Sequence, residues 1–288
     1  MNKIDIITEN TADLYDDCYL KNTNTIVPLS FAIGGTTYRK EEDISLDDFY
    51  EKLKNGERVF TSQANLADVK QVLIESLEKG NDVIYIAFSS GMSGGCNNIM
   101  MMAEDISKDF PNQKLTIIDS ISGGGGQGLL VYYANKLKEE GKSYDEIVSW
   151  LNEKKHNIHH LFILDDLTNI KNSGRISAIK AFIGALLKIK PILTIDDNGK
   201  VAILSKSIGK KKAMLEMVNL FKDTYTPEEN DFILIGHTDQ QEEANKLVEI
   251  LKPLTSKPIE SGCINKLVSA NAGYGALALY YIGKRRNK

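Results

Sequence analysis

The sequence has few cysteines, no excess of positive charge and no long apolar run. Its 288 residues include only three cysteines, Cys18, Cys96 and Cys263, which are too few and too far apart for a disulfide framework or a Cys-X-X-Cys metal clip. Lys and Arg number 35 against 39 Asp and Glu, a formal net charge of −4, so nucleic acid is not an expected partner. Because no apolar run approaches the length of a membrane span, stable membrane insertion is not expected either.

The first residues also lack the pattern of a secretion signal. Met1 to Ile7 enter an apparent strand at once, without a basic segment followed by an apolar core and a cleavage site. The sparse use of cysteine fits a reducing compartment. We therefore expect a cytoplasmic protein.

Short β-branched runs alternate with longer amphipathic runs in the first half of the chain. A stretch with helical spacing follows Ser45, and another extends from Leu66 to Leu77. This alternation predicts an α/β fold with a mainly parallel sheet and flanking helices. Runs typical of buried strands occur at 4–7, 25–29, 82–88 and 115–118.

The second half begins after the polar stretch 153–157 and has a different pattern. Apolar runs flank Asn198-Gly199, and an Asn-Gly pair in that setting favours a tight β-hairpin. Because a hairpin pairs its strands antiparallel, this half is expected to contain a mixed sheet. We predict two domains, 1–155 and 156–288, the second a mixed α/β sheet domain.

Two predicted strand-to-helix loops carry hydroxyl side chains. Thr61 and Ser62 precede one predicted helix, and Ser93 lies in the loop 89–95 after the strand ending at Phe88. In a parallel sheet such loops gather at the carboxyl edge, where ligands usually bind. Hydroxyls and backbone N–H groups at a helix N-terminus suit an anion such as a carboxylate. Helix capping is the alternative explanation for each hydroxyl.

The second of these loops also matches a nucleophile motif. Residues 91–95 have the letters and the strand-turn-helix setting of G-x-S-x-G, which would make Ser93 the nucleophile of a serine esterase or acyl hydrolase. A catalytic triad also needs a base and an acid. His237 follows a predicted strand, but no residue is indicated as its acid. The esterase is therefore the alternative function.

No cofactor or metal site is indicated. Gly123, Gly125 and Gly128 satisfy G-x-G-x-x-G, but this loop does not follow the first strand, as a dinucleotide-binding fingerprint requires. No G-x-x-x-x-G-K-[ST] segment occurs. The histidines within 156–160 have no Cys or carboxylate at ligand spacing.

Eight short segments, taken in their order along the chain, resemble one family. They are Thr8 to Leu14, Tyr38-Arg39, Thr61-Ser62-Gln63, Ser89 to Gly94, Asp119-Ser120, Ser173 to Ser177, Lys190-Pro191-Ile192 and Gly273 to Ala276. On these segments the chain resembles the DegV family, bacterial fatty-acid-binding proteins that include the acyl-carrying subunits of fatty acid kinase. The resemblance covers nearly the whole chain.

The resemblance implies a two-domain α/β architecture that holds one long-chain fatty acid non-covalently in an apolar tunnel between the domains. It implies a carrier without chemistry of its own, whose only expected ligand is the fatty acid. The carboxylate would meet the hydroxyls of Thr61 and Ser93, with Ser62 adjacent. Neutral hydroxyls suit this role because they donate hydrogen bonds in a dry site without adding a buried charge.

Three further residues are candidates for supporting the head group: Gly94, Arg175 and Asn271. Arg175 would add a cation near the carboxylate. Five apolar residues are candidates for part of the tunnel lining, and ordinary core packing explains them equally well. These are Ala178, Phe182, Ile183, Leu186 and Leu187.

The sequence departs from the family pattern where a kinase partner would matter. Many family members have His-Thr-Gly-Pro-Gly where this chain has the segment 271–275, so Asn271 replaces an imidazole. Ile208-Gly209 stands where many members have Arg-Gly. The Thr-Ser-Gln motif is followed by Ala64 where the family usually has Pro, and the Ser-Gly motif is followed by Gly95 where the family usually has Thr. The resemblance therefore predicts lipid binding more strongly than partnership with a fatty acid kinase.

Overall fold

The computed structural model describes residues 2–14, 25–176 and 189–286. Its strands are β1 (Ile4–Glu9), β2 (Thr25–Val27), β3 (Phe31–Ile33), β4 (Thr36–Tyr38), β5 (Val59–Thr61), β6 (Asp82–Ala87), β7 (Leu115–Asp119), β8 (Ile158–Ile163), β9 (Ile189–Ile195), β10 (Val201–Ile208), β11 (Ile233–His237), β12 (Ile259–Cys263) and β13 (Leu277–Ile282). Its α-helices in these ranges are α1 (Leu46–Lys54), α2 (Leu66–Glu78), α3 (Gly95–Asp109), α4 (Gly125–Glu139), α5 (Tyr144–Lys154), α6 (Thr168–Asn172), α7 (Lys210–Thr224), α8 (Gln241–Leu251) and α9 (Lys266–Ala272).

The first sheet is fully parallel and has the strand order β2-β1-β6-β7. Every residue of β6 is buried, because helices cover both faces of the sheet. Ile7 and Tyr85 share a core with α2 and α3, whereas Ile6 and Ile84 share one with α4 and α5. The prediction of a mainly parallel N-terminal sheet with flanking helices is confirmed.

A small antiparallel sheet of order β4-β3-β5 adds to the core beside α2 and α3. Phe31 of β3 packs edge-on against Phe49 of α1, with ring centroids 5.5 Å apart. Ser45 caps α1 by accepting a hydrogen bond from the backbone N–H of Asp48, which satisfies one of the donors left free at a helix start. The last strand of this sheet, β5, ends at Thr61 and contacts α9 of the second half.

The second sheet is mixed and has the strand order β10-β9-β8-β13-β11-β12. Its β11 and β12 run parallel, and the other neighbouring pairs are antiparallel. The predicted hairpin joins β9 to β10, and its turn contains Gly199 at φ +71°, a conformation that glycine adopts without strain. Helices α7 and α8 share a core with one face of this sheet. The prediction of a mixed α/β second half is confirmed.

Helix α4 packs against both sheets, through β1 and β6 of the first and β8, β11 and β13 of the second. Its first turn is rich in glycine for a steric reason. A Cβ on Gly126 would collide with the ring of His160, and a Cβ on Gly128 would collide with the backbone of Asp13. The glycines therefore allow close packing between the sheets. The division into domains 1–155 and 156–288 stays a prediction.

His159 on β8 is expected to make the fold sensitive to mild acid. Its Nε2 lies 2.7 Å from the carbonyl oxygen of Lys284, and burial lowers its pKa from 6.5 to about 4. Between these values the unfolded chain binds a proton that the folded chain does not, so stability is lost as the pH falls from 6.5 towards 4.

We expect the free energy of unfolding to fall between pH 7 and pH 5 by about 2 kcal/mol more in the native chain than in His159→Gln. The glutamine keeps a donor for Lys284 but does not titrate. Urea titrations of both proteins at the two pH values measure the difference. Equal losses in the two proteins would contradict this assignment.

Candidate functional site

An apolar cavity lies between the two sheets. Its empty space amounts to about 650 Å³, a figure that includes open solvent at its mouth. Phe88, Met92 and Gly123 contribute from the first half of the chain, and the rest of the wall comes from the second half. The other lining residues are His160, Phe162, Leu164, Ile170, Arg175, Ile195, Val201, Ile264, Val268, Asn271, Ala272, Ala276, Ala278 and Tyr280.

The alternation of side chains along β8 and β13 builds the floor of this cavity. Phe162 lies opposite Ala278, and His160 lies opposite Tyr280. Alternate residues of a strand point to the same face, so these pairs line the cavity while Leu161 and its neighbours of the other parity pack beneath α7 and α8. A small alanine opposite a large phenylalanine leaves room above the sheet.

A second, polar pocket adjoins the apolar cavity, because Arg175 and Asn271 line both. Thr61 lines this polar pocket and does not line the apolar cavity. The remaining wall includes Ser173 and the exposed Phe60. A molecule with an apolar chain and a polar head could therefore occupy both spaces, with its head beside Arg175.

Arg175 is the cation at this junction. Its Nε donates to the carbonyl oxygen of Met92 at 3.2 Å, and its Nη1 donates to the Ser173 carbonyl at 3.1 Å and to Oδ1 of Asn271 at 3.2 Å. Burial lowers the pKa of the guanidinium, which nevertheless stays charged. Among the described residues no carboxylate pairs with Arg175, and its three acceptors are all neutral. A half-buried cation without a counter-ion favours an anionic ligand.

Asn271 is held in place from two sides. It lies in the last turn of α9, where its Nδ2 donates to the carbonyl oxygen of Leu267 at 3.0 Å. Its Oδ1 is then left to accept from Arg175. Asn271 therefore orients the guanidinium instead of supplying a second charge.

The two hydroxyls of the Thr-Ser-Gln loop face different neighbours. Thr61 is half-buried and lines the polar pocket. The hydroxyl of Ser62 lies 2.8 Å from that of Ser30 and accepts a hydrogen bond from the Ser30 backbone N–H at 3.1 Å. Ser62 thus anchors the end of β5 to the start of β3, while Thr61 presents its side chain to the pocket.

Ser93 and Gly94 lie at the start of α3. The Oγ of Ser93 accepts a hydrogen bond from the backbone N–H of Gly95 at 3.2 Å, so its own O–H is left to donate. Gly94 approaches Gln63 closely, since a Cβ at Gly94 would lie 3.2 Å from the Gln63 Nε2. The loop of Thr61 and the loop of Ser93 therefore adjoin through Gln63. The sequence pattern predicts both loops at the edge of one parallel sheet, but β5, which ends at Thr61, belongs to the small antiparallel sheet.

The described residues give Ser93 no catalytic base. The Nε2 of His237 lies 3.1 Å from Oε1 of Gln241, and its Nδ1 accepts from the backbone N–H of Gln240 at 3.3 Å. Burial lowers the pKa of His237. A serine nucleophile needs a base within hydrogen-bond reach, and the base that the esterase alternative assigns is engaged elsewhere.

The histidines of β8 do not form a metal site. His159 contacts the carbonyl oxygen of Lys284, whereas its neighbour His160 lines the apolar cavity, because successive strand residues point to opposite faces. Across the described ranges, no three His, Cys, Asp or Glu residues are arranged to hold a metal ion. In the same part of the chain, no helix has both the length and the apolar composition to cross a bilayer.

Sequence reasoning missed most of the cavity wall. The five apolar residues selected between Ala178 and Leu187 lie outside the described residues. That selection therefore stays a prediction. The wall that the structure describes includes residues of β8, β13 and α9, which sequence reasoning did not select. The sequence feature that could have indicated this wall is an alternation at the start of β13, where small residues at 276 and 278 alternate with leucines.

Comparison with known proteins agrees with this architecture. The model of the family described as "Uncharacterised protein, DegV family" matches residues 3–284. A DegV domain-containing protein of Clostridium perfringens is 34% identical over 286 residues, which cover 98% of each chain.

Two crystal structures have the same fold over the whole chain. The fatty acid binding DegV family protein of Streptococcus agalactiae is 27% identical, with a TM-score of 0.88 and coverage of 99% of this chain and 100% of that one. DegV of Bacillus subtilis, described as a fatty acid binding protein, is 28% identical, with a TM-score of 0.83 and the same coverage.

Proposed function

The chain belongs to the DegV family, and from this membership we propose that it binds one long-chain fatty acid non-covalently and carries out no chemistry on it. The acyl chain occupies the apolar cavity between the sheets, and the carboxylate lies at the junction with the polar pocket. The S. agalactiae and B. subtilis relatives are described as fatty acid binding proteins. The bound acid is the only ligand in this proposal, without a cofactor.

One observation carries the proposal: the apolar cavity ends at Arg175, a cation without a carboxylate partner among the described residues. An apolar tail alone would suit many hydrophobic ligands. A cation at the end of the cavity selects those with an acidic head, and the desolvated tail then supplies affinity at about 0.8 kcal/mol per buried CH₂.

Thr61 and Ser93 complete the head-group site in this proposal. Thr61 lines the polar pocket, and the O–H of Ser93 is left to donate to a carboxylate oxygen. Ser62 supports Thr61 through its contacts with Ser30, and Asn271 orients Arg175. Gly94 contributes by keeping the Ser93 loop close to Gln63.

We also propose that the protein acts in the cytoplasm as a carrier. If it presents its acid to a fatty acid kinase, phosphoryl transfer takes place on the kinase. Asn271 cannot become cationic, and the 64% exposed Ile208 at the end of β10 offers no charge for docking. We expect Asn271→His combined with Ile208→Arg to strengthen any interaction with a fatty acid kinase. Copurification of the variant with the kinase measures that interaction.

The double variant Thr61→Ala/Ser93→Ala tests the head-group assignment. Loss of two hydroxyl donors to a charged group is expected to weaken fatty acid binding by roughly tenfold or more. Displacement of a fluorescent fatty acid measures the affinity, and mass spectrometry of a solvent extract identifies the acid that copurifies with each protein.

Thr37→Ala is a suitable control, because Thr37 is exposed on β4 of the same small sheet and does not line the polar pocket. Its affinity should stay near that of the native chain. Unchanged affinity in the double variant would remove Thr61 and Ser93 from the site. Stoichiometric labelling of Ser93 by a fluorophosphonate would instead favour the esterase.

A further inference from the structure

One end of the apolar cavity is formed by a row of four large side chains that crosses the second sheet. Along the strand order β10-β9-β8-β13 they are Val201, Ile195, His160 and Tyr280. The members on β10 and β9 pair with each other, and so do those on β8 and β13. The two middle members are level because Phe162 pairs with Leu193 two residues away on the same antiparallel strands. All four side chains are buried, so the row is a continuous wall.

The cavity does not continue beyond this row in the part of the chain that the structure describes. Ile158 and Ile282 are the next residues on the same face of β8 and β13, and they pair with each other. Both are fully buried in the core and do not line the cavity.

The row lies far from the proposed head-group site. Leu164 lines the cavity at the other end of β8, and α9, which carries Asn271, leads into β13 at that same end. His160 is four residues from Leu164, or roughly 13 Å at the usual rise of a strand. The row therefore closes the end of the cavity where the tail of an acid would lie.

The two halves of the row are held differently. A Cβ on Gly126 would collide with the ring of His160, and a Cβ on Gly125 would collide with the ring of Tyr280, so the start of α4 holds both rings in place. The other two members lie on the β9–β10 hairpin, at the edge of the sheet. Their position depends on how the tip of this hairpin is held.

The tip of the hairpin is clasped from two sides. The hydroxyl of Ser89, in the loop after β6, donates to the carbonyl oxygen of Gly199 at 2.7 Å. Near the C-terminus, Nη1 of Arg286 donates to the carbonyl oxygen of Ile195, also at 2.7 Å. Ser89 and Arg286 are both buried, which protects these hydrogen bonds from competition by water.

We propose that Ile195 and Val201 set the longest acyl chain that the cavity accepts, and that Ser89 and Arg286 hold this stop in place. The methyl end of the acid meets the two branched side chains. An acid longer than the cavity gains no further affinity, because its extra methylenes find no apolar surface to cover them. This inference rests on the proposed function and names the residues that select among saturated acids by length.

The test measures affinity against chain length for saturated acids from dodecanoic to docosanoic acid, by displacement of a fluorescent fatty acid. In the native chain, affinity should rise with length up to a limit and then stop rising. In Ile195→Ala/Val201→Ala we expect this limit to move by roughly two to four carbons, since the substitutions remove five side-chain carbons from the end of the cavity. Acids just beyond the native limit should gain roughly tenfold in affinity.

Val201→Leu tests the same stop in the opposite direction. It adds one carbon at the end of the cavity, so the limit should become shorter by about one carbon. Ser89→Ala tests the clasp. Because the tip then yields more easily, the ratio of the affinity for acids beyond the limit to that for shorter acids should rise.

Ile192→Ala is the matched control. Ile192 is buried on β9 like Ile195, but it belongs to the core beneath α7 and does not line the cavity. The substitution removes the same side-chain volume from the other face of the hairpin, so the limit should stay where it is. Urea unfolding checks that Ile192→Ala and Ile195→Ala lose comparable stability.

An unchanged limit in Ile195→Ala/Val201→Ala would overturn the inference while the acids still bound. An equal shift in Ile192→Ala would also overturn it, because general loosening of the hairpin would then explain the change. If the double variant does not fold, Val201→Leu decides, and an unchanged limit there overturns the inference. Failure of every saturated acid to bind the native chain would overturn the proposed function instead.

Discussion

Arg175→Met is expected to weaken the binding of a long-chain fatty acid by a factor of roughly ten to a hundred, because hydrogen bonds to a charged group contribute about 1.5–3 kcal/mol. The native guanidinium is half-buried and is surrounded by neutral acceptors from Met92, Ser173 and Asn271. A carboxylate is the group that compensates it. Displacement of a fluorescent fatty acid measures the loss.

The ligand-free chain gives the diagnostic comparison. Since no carboxylate among the described residues pairs with Arg175, its replacement should change the stability of the ligand-free chain much less than that of the complex. Thermal unfolding with and without saturating octadecanoic acid measures both quantities. The ligand-induced rise of Tm should shrink in Arg175→Met.

Arg58→Met is the control for this experiment. Arg58 lines the outer part of the polar pocket and is exposed, so its charge is screened by solvent. It should leave the affinity within about twofold of the native value, while Arg175→Lys should recover part of it. Equal losses in Arg58→Met and Arg175→Met would mean that general surface charge, and not the junction, attracts the acid.

Local sequence patterns predicted the fold well because they act over short distances. Asn198-Gly199 reverses the chain between two apolar runs, and the structure has a hairpin there. Continuous apolar runs predicted the buried strands of the parallel sheet, because helices cover both faces and leave no polar side. The order of the strands in the mixed sheet was not predicted, since it depends on pairing between distant segments.

The candidate site was predictable only in part, for the same reason. Ser93 lies in a loop at the carboxyl edge of the parallel sheet, where ligands usually bind, but Thr61 follows a strand of the small antiparallel sheet, which the sequence pattern did not distinguish. The contact between Arg175 and Asn271 spans 96 positions of the chain, and no local pattern indicates it.

Ala278→Phe is expected to have the largest effect on binding, because it fills the cavity from its floor. Ala278 is buried opposite Phe162 on the cavity face of β13. A bulky ring at this level should exclude the part of an acyl chain that extends towards Tyr280. Loss of about four buried methylenes, at about 0.8 kcal/mol each, would weaken binding of octadecanoic acid by roughly a hundredfold or more.

The affected chain lengths separate a blocked cavity from a damaged fold. In Ala278→Phe a shorter acid, whose chain ends before Ala278, should keep most of its affinity, and the preferred length should therefore become shorter. Ala278→Val adds less volume and should give an intermediate shift. Because overpacking of a core costs about 1–3 kcal/mol, urea unfolding of each variant is measured in parallel. Equal loss of short and long acids, together with reduced stability, would indicate a damaged fold. Unchanged affinity for both acids would mean that the acyl chain does not pass Ala278, and the cavity between the sheets would then not be the fatty acid site.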